Sequence, residues 1–96
     1  MDASQRVRAI EDALREKLEA NHVSVVDQSA LHAGHAEAEG GGHFQVVVVS
    51  ERFRGLTRVA AQQLVYTTLG DLMVDDIHAL SMRTLTPEEW SGLSSG

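Results

Sequence analysis

The sequence predicts an α+β fold, a two-layer arrangement in which helices cover one face of a three-stranded mixed sheet. Three observations lead there. Apolar residues recur at helical spacing in the opening segment, and three short β-branched runs follow it. A helical stretch separates the second run from the third, and strands joined that way lie parallel through a right-handed crossover. The expected order is α-β-β-α-β-α, one layer of helix on one layer of sheet.

Each element has its own signal. Val7, Ile10, Leu14 and Leu18 step by three and four and so share one helix face, with Arg6, Glu11, Arg15, Glu16 and Lys17 on the rest. Asp2 with Gln5 has the spacing of a capping box, and the helix is expected to end near Ala20-Asn21. Val23 to Asp27 is short and β-branched, a strand. From Ala30 to Gly42 the composition turns to Ala, Gly, His and Glu and closes on three glycines, whose ordering entropy is high, so a mobile loop is expected. His43 to Ser50 is the clearest strand, and its run Val46 to Val49 predicts that both faces are covered or nearly so. The first two strands pair as an antiparallel hairpin across the glycine loop. Glu51 to Gly55 is a turn, and Thr57 caps a second helix carrying Val59, Leu64, Val65, Thr68, Leu69 and Leu72, with a bend at Gly70. Ile77 to Leu85 is the third strand. Thr86-Pro87-Glu88-Glu89-Trp90 combines a cap, a proline at the first helical position and two acids in the first turn, the start of a short closing helix that lets Trp90 dock on the core. The tail from Ser91 to Gly96 is expected to fray, with 92–96 flexible.

Composition bounds the function. The 96 residues make one domain with a modest core, which leaves no room for a deep catalytic cleft walled by further layers. Hydrophobic content of 43% is ordinary for a globular chain. The net charge of −6 removes most of the phosphate-neutralising term that nucleic-acid affinity rests on, and it disfavours an anionic membrane surface. With no cysteine, the chain has neither disulfides nor a cysteinyl metal site of its own. No apolar run approaches the ~20 residues that span a bilayer. The opening Met1-Asp2-Ala3-Ser4-Gln5 is acidic and polar, unlike a secretory signal, so a cytoplasmic protein is expected.

Enzymatic constellations fail early. No Gly-x-Ser-x-Gly elbow occurs, and the glycines at 40–42 lack the Lys-Ser/Thr of a phosphate-binding loop. Asp75 and Asp76 are adjacent, diverge on most backbones, and fit a helix end better than a catalytic pair. The histidines stand out instead. Of five, His32, His35 and His43 fall within twelve residues around the glycine loop, and His78 lies in the third strand. Neutral imidazole is the commonest metal-ligating side chain. Singly, each of these histidines fits a solvated loop or a hydrogen-bonded strand position as well as a ligand. Topology tilts the balance: parallel pairing of the second and third strands puts the start of each, with His43 and His78, at the same end as the loop. Such a patch, without a thiolate, could complete the coordination of a metal that a partner brings. A histidine-only zinc site would need three of these side chains to converge.

Val26 to His35, His43 to Ser50, Arg52-Phe53-Arg54-Gly55, Val65-Tyr66, Ile77-His78-Ala79-Leu80 and Thr86 to Trp90 together resemble the BolA family in order and spacing, from about Arg6 to Trp90. The resemblance implies an α-β-β-α-α-β-α fold like the type II KH domain without its Gly-x-x-Gly loop. It implies a non-enzymatic partner of a monothiol glutaredoxin, the two holding a [2Fe-2S] cluster between them, with the glutaredoxin cysteine and a glutathione thiol completing the ligands. The family's third-strand histidine ligand matches His78. The second ligand comes from the loop after the first strand, where Ser29 followed by His32 fits best and His35 and His43 are rivals. The family is also linked to transcriptional regulation through DNA binding and to stress responses. Here Ala61-Gln62-Gln63 stand where family members carry an Arg-His-Arg cluster, which counts against DNA binding; Arg52, Arg54 and Arg58 leave room for a weak basic patch. Alone, the chain is expected to be a monomer or a weak homodimer.

Overall fold

The computed structural model describes residues 3–28, 42–75 and 77–95. Helix α1 (Ala3–Leu18) leads to strand β1 (His22–Asp27) and strand β2 (Gly42–Val49). A 3-10 turn (Glu51–Phe53) precedes helices α2 (Arg58–Leu69) and α3 (Asp71–Asp75), then strand β3 (Ile77–Leu85) and helix α4 (Pro87–Ser95). The sheet order is β1-β2-β3, with β1 antiparallel and β3 parallel to the central β2, as the order of elements requires. Among the described residues no helix is long and apolar enough to cross a membrane.

The helical stripe of the opening segment forms the base of the core. Ile10, Leu14 and Leu18 are buried and Val7 packs beside them. The helix stops at Leu18, two residues before the expected end, because Glu19 turns left-handed at φ 51° and swings the chain into β1. Asp2 of the expected capping box lies outside the described residues.

Strand alternation sends Phe44, Val46 and Val48 into that core with Val23, Val65, Leu69 and Ile77. The valine run is therefore covered unevenly. Val47 on the opposite face is only half-buried, whereas Val49, level with His22 and Leu85, is fully enclosed. That end of the far face is where α4 sits, its Trp90 ring stacked on His22 at 4.6 Å between centroids and 17° between planes. Trp90 thus docks behind the sheet rather than among the core side chains, and the helices do not all share one face.

Caps account for the helix boundaries. The Thr57 hydroxyl accepts a hydrogen bond from the Ala60 N–H at 3.0 Å and opens α2. Gly70, at φ +51°, closes it, and the chain re-enters helix at once as α3, so Leu72 belongs to a separate short element packed on the core. At α4, the Glu89 N–H donates to the Thr86 hydroxyl at 3.3 Å while the Glu89 carboxylate accepts from the Thr86 N–H at 2.8 Å, a reciprocal capping box. With both orphan donors satisfied the helix runs on through Ser95, well past Trp90 where the regular closing turn was expected to end.

One buried polar side chain ties the layers together. Ser50, fully buried, donates its hydroxyl to the Leu18 carbonyl at the end of α1 (2.6 Å) and accepts from the Arg52 N–H (3.0 Å). Ser50→Ala strands a buried carbonyl and leaves a part-buried amide without its acceptor, so it should destabilise the fold by about 1–3 kcal/mol. Urea unfolding at unchanged m-value checks this, and an unmoved midpoint would show that water replaces the hydroxyl.

Candidate functional site

The backbone positions of His43 and His78 lie at one end of the sheet. The Gln28 N–H donates to the His43 carbonyl at 2.7 Å, which closes the ladder where β1 leaves and β2 enters. On the side-chain level Gln28 continues that contact, its amide donating to the Gln45 amide oxygen at 2.9 Å. The segment carrying His32 and His35 is tethered at both ends here, to Gln28 and to Gly42; both histidines lie outside the described residues. His43 follows Gly42 in β2, half-buried on the face opposite its neighbour Phe44.

The parallel partner strand starts at the same level. Gly42 pairs with Ile77 but His43 pairs with Ala79, so β3 has one residue more than β2 at this step, and that residue is His78. The side chains on either side show why. Ile77 is buried in the core while Ala79, two positions on, is exposed, an arrangement that a plain strand of period two cannot adopt. The bulge switches the face between them. The alternation beyond it is regular, with Leu80 and Met82 packed against the core and Arg83 exposed. The backbone thus brings His78 to the His43 step of β2, at the sheet end that also anchors the loop. The His78 side chain is outside the described residues. Among the described residues, no three histidine, aspartate or glutamate side chains come together as a metal site.

The remaining polar features lie elsewhere. Arg54 in the turn after β2 forks its guanidinium onto Glu51 at 2.8 and 2.9 Å and reaches Glu88 in α4 with its other terminal nitrogen. The Arg54 hydrogen bonds hold the Glu51 carboxyl below its usual range, and the Glu51 and Glu88 carboxylates raise the Arg54 pKa further. Arg52 contacts Glu19 at 3.4 Å. Two of the three arginines of the expected basic patch are therefore occupied by carboxylates, and Arg58 remains. Ala61, at the first position of the missing basic cluster, is buried in the core, so that position faces no partner at all, whereas Gln63 is exposed. Sequence spacing did not expose these pairings, since Arg54 and Glu88 are 34 residues apart.

Comparison with known proteins agrees with this architecture. The family model described as BolA-like protein matches residues 14–89. The chain belongs to the BolA family. The "DNA-binding transcriptional regulator BolA" of Vibrio cholerae is 39% identical over 85 residues, covering 88% of this chain and 78% of that one. The "Acid stress protein IbaG" of Escherichia coli is 41% identical over 76 residues, covering 77% of this chain and 90% of that one. Among solved structures, the BolA domain of SufE1 from Arabidopsis thaliana superposes with a TM-score of 0.78 at 34% identity, covering 93% of this chain and 98% of that one. The α+β architecture with its mixed sheet is thus the family's own.

Proposed function

We propose that this BolA-family chain is a non-enzymatic adaptor that binds a monothiol glutaredoxin and contributes histidines to a bridging [2Fe-2S] cluster. The observation that carries the reading is the β2–β3 register: the bulge residue His78 sits at the His43 step, beside both tethers of the loop that holds His32 and His35. The donor set fits an incomplete site. His43 and His78 start neighbouring strands at one sheet end in a chain without cysteine, so the thiolates of such a cluster would come from the glutaredoxin and from glutathione. Histidine in place of thiolate on one iron raises a cluster's potential and makes its ligation sensitive to protons. That sensitivity suits iron-sulfur trafficking or iron and redox regulation, and it agrees with the acid-stress name of one relative.

The test is a visible absorption and circular dichroism titration of a glutathione-loaded, cluster-bearing monothiol glutaredoxin. The wild-type chain should reshape the cluster spectrum and His78→Ala should not. His32→Ala, His35→Ala and His43→Ala, run in parallel, identify the second ligand as the one whose loss also abolishes the change. A wild-type chain that leaves the spectrum untouched removes the cluster role.

The second reading is a KH-like DNA-binding transcriptional regulator, favoured by the name of the Vibrio cholerae relative. Its physical support here is thinner. The chain is acidic, Ala61 is buried, and Arg52 and Arg54 are engaged by carboxylates. DNA binding that weakens steeply with salt is the result that would revive it.

A further inference from the structure

The far half of β3 borders a cleft that the histidine end does not use. It encloses about 650 Å3 between the β3 edge and the first turn of α2, and Arg58, Gln62, Ser81, Met82, Arg83 and Thr84 lie on its wall. Two features of that wall belong together.

The first is an unpaired backbone. β3 is an edge strand, bonded to β2 on one side only. The Ser50 N–H donates to the Leu85 carbonyl at 2.9 Å, so the polar groups of Leu85 turn toward β2. Backbone groups alternate sides along a strand, which turns Ser81 and Arg83 toward β2 as well and leaves the N–H and C=O of Leu80, Met82 and Thr84 on the outer edge. A row of this kind is a template for another strand.

The second is a pair of unengaged cations. Arg58 and Arg83 are exposed, and neither has an ion pair among the described residues, although the chain carries fourteen carboxylates against eight basic side chains. Arg58 belongs to the helix layer. Arg83, level with Val47 and next to the inward-facing Met82, lies on the opposite face of the sheet.

We propose that this cleft takes an extended acidic peptide segment as a fourth strand, hydrogen-bonded to the outer edge of β3. Neighbouring side chains of an added strand point to opposite faces, so two consecutive acidic residues would meet Arg58 on one side and Arg83 on the other. The charge pattern selects this occupant: Glu89, the carboxylate on the wall, accepts from the Thr86 N–H that it caps, which leaves Arg58 and Arg83 as the unengaged charges there. A second copy pairing antiparallel through the same stretch would set its Arg83 beside this one, a repulsive contact. Single-stranded nucleic acid would find two cations, no row of backbone groups to match the strand edge, and Phe53, the aromatic residue on the wall, buried in the core rather than open to a base. The inference does not depend on the cluster reading.

The test is a 1H–15N NMR titration with the capped peptide acetyl-Thr-Val-Thr-Glu-Asp-Thr-Val-Thr-amide. Three comparison probes are used: the same peptide N-methylated at alternate residues, its Lys-Lys counterpart, and an oligothymidylate. Saturable shifts at the amides of Leu80, Met82, Thr84 and the first turn of α2 are expected with the acidic peptide. N-methylation and Lys-Lys replacement should each weaken binding by about tenfold or more, the worth of one or two charge-assisted or backbone hydrogen bonds. The surface double variant Arg58→Glu/Arg83→Glu should lose binding while its spectrum stays folded. Met82→Pro, which removes an outward N–H without touching the β2 ladder, should lose it too if it still melts cooperatively. Absence of saturable shifts up to millimolar peptide, affinity unchanged by N-methylation, or occupation of the same amides by the oligothymidylate in place of the peptide would each overturn the proposal.

Discussion

Phe44→Ala should destabilise the protein by about 3–5 kcal/mol, a large share of the stability of a domain this size. Phe44 leads the fully buried side chains in volume and stands on the central strand, level with Asp27 of β1 and Leu80 of β3. A void there is bounded by a hydrogen-bonded strand on either side and by the Ile10–Leu14 face of α1 above, so the walls have little freedom to close. Val26→Ala is the control. Val26 is 50% exposed on β1, and its truncation should stay within about 0.5 kcal/mol. Urea unfolding of both variants, with two probes to confirm a single transition, separates them. A loss below about 1 kcal/mol for Phe44→Ala would mean that the helix layer collapses into the space and that the packing is far looser than the enclosure of Phe44 indicates.

The Phe44 position also shows how far the sequence could be read. Alternation and helical spacing were enough for the three strands, the hairpin, the parallel crossover and the stripe of α1, because those signals are local and repeat along each element. The Thr57 cap and the Gly70 interruption were legible for the same reason. What escaped was set by contacts between distant residues. The valine run suggests cover on both faces, yet among the described residues the far face is covered at its His22 end, since that depends on where Trp90 lands. Ala61-Gln62-Gln63 looked like a basic surface stripped of charge; in the fold its first residue is a core position. Arg52 and Arg54 looked available for phosphates, and the carboxylates of Glu19, Glu51 and Glu88 hold them.

The candidate site divides in the same way. That His43 and His78 share an end of the sheet followed from the strand order alone. The bulge that places His78 did not, because Ile77-His78-Ala79-Leu80 reads equally well as a plain strand whose one polar residue points away from the core. The β2–β3 pairing, with Ile77 buried and Ala79 exposed, reveals the extra residue.

Removing that residue gives the second large effect, on the proposed site and not on the fold. Deletion of His78 restores an even ladder, with Ile77 still level with Gly42 and Ala79 with His43, and plain alternation then keeps Ile77 in the core and Ala79 on the other face. The deletion should therefore cost about 1 kcal/mol or less. His78→Ala keeps the chain length and the bulge, so its unfolding midpoint should stay close to that of the wild type. Urea unfolding of both variants should thus lie near the wild-type midpoint, while neither variant reshapes the spectrum of the glutaredoxin cluster, because both lack the imidazole that we propose as a ligand. If the deletion costs about 1.5–3 kcal/mol, the burial of an isoleucine, Ile77 has left the core, the ladder does not close evenly, and the register that brings His78 to His43 loses its physical basis. If His78→Ala falls by as much, the imidazole is a structural group, and a lost spectral change in that variant would report a damaged fold rather than a missing ligand.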